Sequence, residues 1–201
     1  MYPKRRRTTG LHFLSASWLL LGAAGCGAGP SPAAAPPCDQ TCQDGVALRG
    51  LRTAMKIAYN FAIATQPVGA QDKTAPCVSF DESRGGSVHI FGDATVNAIQ
   101  GASIVSLSYD FQDCLYSAPP DPSADQNYSL TLTGLVLETG TLSVQPTATT
   151  ALLIESDSLS ISGTVYDPPD QYSAADCALS VVQNGNAVSG AWCGRSAGFT
   201  F

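Results

Sequence analysis

Gly194-Arg195-Ser196-Ala197-Gly198 has the G-x-S-x-G form of a hydrolase nucleophile elbow, in which a sharp turn presents a serine to a carbonyl. That chemistry needs a helix behind the serine, then an acid and a histidine further along the chain. Only Phe199-Thr200-Phe201 follows Gly198, and His89 lies far upstream, so the string reads as a turn entering a final strand. His89 itself stands in Ser87-Val88-His89-Ile90-Phe91-Gly92, where alternation places it on the opposite side from Val88 and Ile90. An exposed strand residue is expected there, and one histidine cannot make a multi-histidine zinc site. Cys38-Asp39-Gln40-Thr41-Cys42 has a three-residue spacer, unlike redox or zinc-knuckle pairs, and suits a bridge.

Carboxylates gather as Asp110 with Asp113, Asp121 with Asp125, and Asp167 with Asp170. Such oxygens suit calcium or acid-base work, but no EF-hand-type loop is present, and the Asp-Pro pairs have a sufficient role in turns. No metal and no cofactor is expected. A hydrolase working through Asp121, Asp125, Asp167 or Asp170, with calcium as an optional aid, is the alternative reading and requires these groups to converge in one cleft. Arg49, Arg52 and Lys56 fall at i, i+3 and i+7 of a helical segment, where they form a solvated edge or pair with sheet carboxylates; the other use is contact with anionic headgroups.

The amino end supplies an address. Lys4, Arg5, Arg6 and Arg7 precede an apolar run, Leu11 to Ala24, that is too short to span a bilayer and has the form of a signal-peptide h-region. It ends at Ala23-Ala24-Gly25-Cys26, small residues immediately before a cysteine. This resembles the lipobox of bacterial lipoproteins, with Ala23 where that family prefers Leu. The resemblance covers residues 1–26 and implies cleavage before Cys26, acylation of its sulfur and amine, and, since Gly27 is not the retaining aspartate, sorting to the outer membrane without fixing which face. Several acyl chains give lasting attachment where one is marginal. The chain has seven cysteines, and assigning Cys26 to lipid leaves Cys38, Cys42, Cys77, Cys114, Cys177 and Cys193, an even set for bridging in an oxidising compartment.

The elements that must hold these groups follow from periodicity. Residues 1–25 are leader, and 26–37 are anchor and tether, with a GAGPSPAAAPP stretch that has no charge and no large side chain. Residues 38–201 are expected to form a single globular domain. Val46, Leu48, Leu51, Ala54, Met55, Ala58, Phe61 and Ala62 recur at helical intervals, predicting an amphipathic helix over 45–64 with Asp44 as N-cap. Beyond Gly85 the period becomes two: Val105, Leu107, Tyr109 and Phe111 alternate with polar residues, as do Tyr128, Leu130 and Leu132, and then Leu159, Ile161 and Val165. Glycines 134, 163 and 190 recur in similar strand contexts and read as points where a sheet coils.

Asn184-Gly185 predicts a two-residue type I′ turn, which puts Leu179 and Val181 on one face with Val188 and Trp192, and Ala178, Ser180, Ser189 and Cys193 on the other. In that register Cys177 opposes Trp192, so Cys177 and Cys193 are not expected to bond. Cys114 is instead expected to join Cys177, with Cys38, Cys42, Cys77 and Cys193 pinning the helix ends to the sheet.

Ten Lys and Arg against 16 Asp and Glu give a charge of −6, and loss of the leader's four cations leaves six against 16, or −10, which excludes a nucleic-acid partner. The fold expected is α+β and mainly β: one N-terminal amphipathic helix on a curved antiparallel meander of about eight strands, stapled by disulfides. The function expected is that of a membrane-anchored envelope lipoprotein without enzyme activity, structural or binding a small apolar or glycan ligand or an envelope protein partner.

Overall fold

The structure, a computed structural model, describes residues 36–65, 68–97, 101–143 and 149–201. The leader, Cys26 and most of the tether lie outside the described residues.

One α-helix, α1 (Gln40–Thr65), precedes β1 (Gly69–Val78), β2 (Arg84–Asn97), β3 (Ala102–Ser117), β4 (Tyr128–Ser143), β5 (Ala151–Val165), β6 (Asp170–Asn184), β7 (Ala187–Trp192) and β8 (Arg195–Thr200). The strands form one sheet in chain order, each antiparallel to its sequence neighbours. The described residues are thus mainly β, with one α-helix, eight antiparallel strands and three disulfides. Among the described residues no helix is long and apolar enough to cross a membrane.

The helix starts one turn earlier than its periodicity suggests. The Asp39 carboxylate accepts the Cys42 backbone N–H at 2.9 Å and its carbonyl accepts that of Gln43, so Asp39, not Asp44, is the N-cap. Strand alternation sorts the faces as expected, with Val105, Leu107, Tyr109, Phe111, Leu130, Leu132, Leu159, Ile161 and Val165 all buried. Helix α1 contributes Val46, Leu48, Leu51, Met55, Tyr59 and Ala62 to the same core and touches β1 to β5 and β8. Every residue from Asp44 to Arg52 is buried, so this third of the helix is covered on all sides.

The last hairpin corrects two expectations. Its register pairs Asn184 with Ala187 and Leu179 with Trp192, so the turn is Gly185-Asn186, one residue later than expected. Gly185 has φ of 57° at the first central position, the requirement of a type II′ turn. Because the shift moves the pairing by an even number, the predicted faces survive. The predicted cysteine geometry does not: Cys177 is bonded to Cys193, with Cα atoms 4.7 Å apart. Strict alternation fails at that end because Asp176 and Cys193 adopt left-handed backbone, φ 53° and 49°, which turns the side chains out of their nominal faces.

Cys114 therefore does not join Cys177; it is bonded to Cys77. A register shift between Phe111 and Cys114 turns Cys114 inward, and at the matching end of β2 the backbone of Gly86 approaches the Gln112 and Asp113 carbonyls too closely for a side chain. Cys38 and Cys42 bond each other across the first turn of α1, so they staple the helix start to itself and not to the sheet.

Candidate functional site

Two openings lie on opposite flanks of α1. At about 100° per residue, Ala54, Ile57, Ala58 and Phe61 share one flank, and Arg52, Lys56, Tyr59 and Asn60 the other, roughly 165° away. Between them, the stripe of Leu48, Leu51, Met55 and Ala62 enters the core.

The first flank faces Ala75, Pro76, Cys77 and Val78 of β1, Val88 of β2, and Cys114 and Tyr116 of β3 across a groove of ≈190 Å³. The Cys77–Cys114 bridge forms part of its wall. Its lining is almost wholly apolar, and Ile57 and Phe61, 45% and 46% exposed, stand at its rim. Phe61 was expected in the core by its spacing; it sits instead at the helix edge, where the groove leaves it uncovered. The polar group here is the Tyr116 hydroxyl, raised to about 12 by burial first and then by the neighbouring Tyr128.

The second flank opens on a cleft of ≈470 Å³ between α1, the end of β4 and the β6–β7 turn. Its floor is charged. Arg52 Nη2 lies 3.2 Å from Glu138 Oε1, Arg52 Nε donates to Gln183 Oε1 at 2.8 Å, and the Tyr109 hydroxyl donates to Glu138 Oε2 at 2.6 Å. Gln183 Nε2 in turn donates to the Gly185 carbonyl at 2.9 Å, tying the network to the turn. Arg52 and Glu138 are both buried, and Glu138 Oε1 has no hydrogen-bond partner of good geometry. Burial first, and then the Glu138 charge, hold the Tyr109 phenol well above its ordinary pKa.

A second buried network joins the helix start to the last strand. Asp44, fully buried inside α1, accepts Arg195 Nε at 2.9 Å and Nη2 at 3.0 Å, the Tyr172 hydroxyl at 2.8 Å and Gln40 Nε2 at 3.0 Å. Trp192 Nε1 donates to the Tyr172 hydroxyl at 2.6 Å. Burial raises Tyr172, and the Asp44 hydrogen bond raises Arg195. Close by, Arg49 Nη2 donates to Asp125 Oδ2 and to the Thr200 carbonyl, both at 3.1 Å, while its guanidinium lies over Phe199.

The residues singled out from sequence fall as follows. Arg49 and Arg52 are buried and paired with carboxylates; only Lys56 of that stripe is exposed. In the Gly194–Gly198 string, Arg195 is the partner of Asp44 and Ser196 lies exposed on β8 opposite Ala191, with no helix behind it. His89 faces outward on β2, with Nε2 2.7 Å from Asp72 Oδ1. Asp121 accepts Ser123 N–H and Asp125 pairs with Arg49, whereas Asp167 lines an open depression with Asp81, whose carboxyl is lowered by its bond to the Ser83 hydroxyl. Asp170 begins β6, and Asp113 accepts Thr133 at a register shift. Among the described residues, no three of His, Cys, Asp or Glu group closely enough to hold a metal ion.

Glu138, Gln183 and Asp44 were not anticipated as site residues. Each stands at an inward position: Glu138 continues the parity of Leu130, Leu132 and Val136, and Gln183 that of Leu179 and Val181. A polar residue at a core register was the available signal.

Fold and openings together define a disulfide-stapled, helix-bearing antiparallel β protein with an apolar and a polar recess on the two flanks of its helix. Comparisons with family models, curated proteins and solved structures gave no match.

Proposed function

We propose that this chain is an exported lipoprotein of the bacterial envelope, held at the outer membrane by acylated Cys26, and that it works by binding and not by catalysis. The ligand is a small apolar molecule seated between α1 and β1 to β3. The observation that carries this reading is the apolar groove with Ile57 and Phe61 left uncovered at its rim, since large apolar side chains around a recess mark a binding surface. The address is supported by the lipobox-like Ala23-Ala24-Gly25-Cys26 and by the six further cysteines, all bridged in three pairs.

The same reading takes the sheet to coil round the helix from its amino side. Eight flat strands would span roughly 34 Å at about 4.8 Å per strand, three times the width of a helix. Contact of one helix with both edge strands, and nine consecutive buried residues, fit a wrapped sheet and not a flat one.

The test has two arms. Mass spectrometry of protein purified from membranes should show Cys26 as the first residue, acylated; an intact leader overturns the address. Calorimetric titration with lauric acid should show binding that Ile57→Ser and Phe61→Ser each weaken about tenfold, near 1.4 kcal/mol. Equal affinity in both rim variants overturns the groove as the seat.

A further inference from the structure

We infer that the polar cleft on the other flank of α1 is a saccharide site. It is separate from the apolar groove, and its lining has the mixture that a sugar ring requires. A saccharide presents hydroxyls that both donate and accept, together with a C–H face that packs on aromatic rings. Asn60 on the helix and Asn186 on the β6–β7 turn are exposed on facing walls, and each side-chain amide carries donors and an acceptor. Phe201, 50% exposed, supplies an uncovered ring at the edge.

The floor is already built. Arg52 is fixed by Gln183 and faces Glu138, and Glu138 is fixed by Tyr109, so a ligand meets groups that need no ordering on binding. Arg52 and Glu138 also cancel each other's charge, which leaves Lys56 as the cation of the lining. A phosphate or other anion would meet one exposed lysine beside a carboxylate; a neutral polyol meets matched donors and acceptors. Glu138 Oε1 is held by the Arg52 charge at 3.2 Å without a well-aligned hydrogen bond, so its acceptor capacity within this wall is not fully used. The volume of ≈470 Å³ lies within the usual range for small-molecule sites, about 300–1,000 Å³.

The experiment is ligand-observed NMR and calorimetry on the full acylated chain in detergent, with N,N′-diacetylchitobiose and cellobiose as probes and inorganic phosphate as the anionic control. One or both disaccharides should bind with a dissociation constant on the order of 1 mM or tighter. Asn186→Ala and Phe201→Ala, both exposed changes, should each weaken that binding about tenfold, and Ile57→Ser in the other opening should leave it unaltered. Failure of both disaccharides, binding of phosphate alone, or saccharide binding that the two cleft variants leave intact would each overturn the assignment. If the unsubstituted chain binds a disaccharide but no lauric acid, the groove reading fails and the cleft assignment stands.

Discussion

Replacing Glu138 by Leu, Arg52 by Met, and both together gives the sharpest measure of the charged floor. Both side chains are buried, so neither ion recovers its hydration when the other is removed. Breaking such a pair from one side costs about 3–5 kcal/mol, because it strands the remaining charge. For a domain of this size that lowers Tm by roughly 6–20 °C at about 2–4 °C per kcal/mol. Removing both ions abolishes the stranded charge but leaves the Tyr109 hydroxyl and the Gln183 carbonyl oxygen without their partners, a residue of about 1–3 kcal/mol. The double variant should therefore be more stable than either single one, with a coupling of about 6 kcal/mol. Guanidinium melts of the four proteins read this directly. Single variants that each cost under about 1 kcal/mol, adding without coupling, would show the two ions to be hydrated and refute the buried network.

Three other outcomes follow from the packing. Cys77→Ser with Cys114→Ser opens a closure of 37 residues and should cost about 4 kcal/mol, against about 2 for the Cys38–Cys42 pair, a ranking checked by chemical melts. Gly163→Ala, at φ 141° with its added carbon 2.1 Å from the Ser129 carbonyl oxygen, should cost about 2 kcal/mol or more; a neutral effect in thermal melts would contradict the close strand approach. Tyr109 and Tyr172 both titrate higher in the folded chain, so their contribution is complete below the unfolded value of about 10. It should be lost as pH climbs above that, by up to about 1.4 kcal/mol per unit for each. Chemical melts between about pH 9 and pH 12 test the slope, and a flat profile would mean these phenols ionise freely.

The faces of the strands were readable because side chains alternate and Ser and Thr mark the outward positions of β3, β4 and β5. The same alternation, carried past Gly134, would have exposed Glu138 as a carboxylate turned inward. Cysteine pairing was not readable. It depends on Asp113, Asp176 and Cys193 adopting left-handed backbone, which interrupts alternation at residues with no glycine to announce it. The Arg49–Arg52–Lys56 stripe was legible as a pattern, but whether water or sheet lay beside it depended on where β8 and β4 pack, a long-range matter that local spacing does not contain. Likewise Asp44, plausible as a cap by residue type, is claimed by Arg195, 151 positions away.

That last pairing sets an order of events for a polypeptide that emerges amino end first. Each strand can zip onto its predecessor as it arrives, since neighbours in the sheet are neighbours in the chain. The carboxylate buried in the opening helix has to wait for Arg195 on the closing strand. A copy cut short before that arginine would leave an uncompensated anion in its interior, so incomplete synthesis and incomplete folding become the same defect, visible to any protease that samples loosely closed chains.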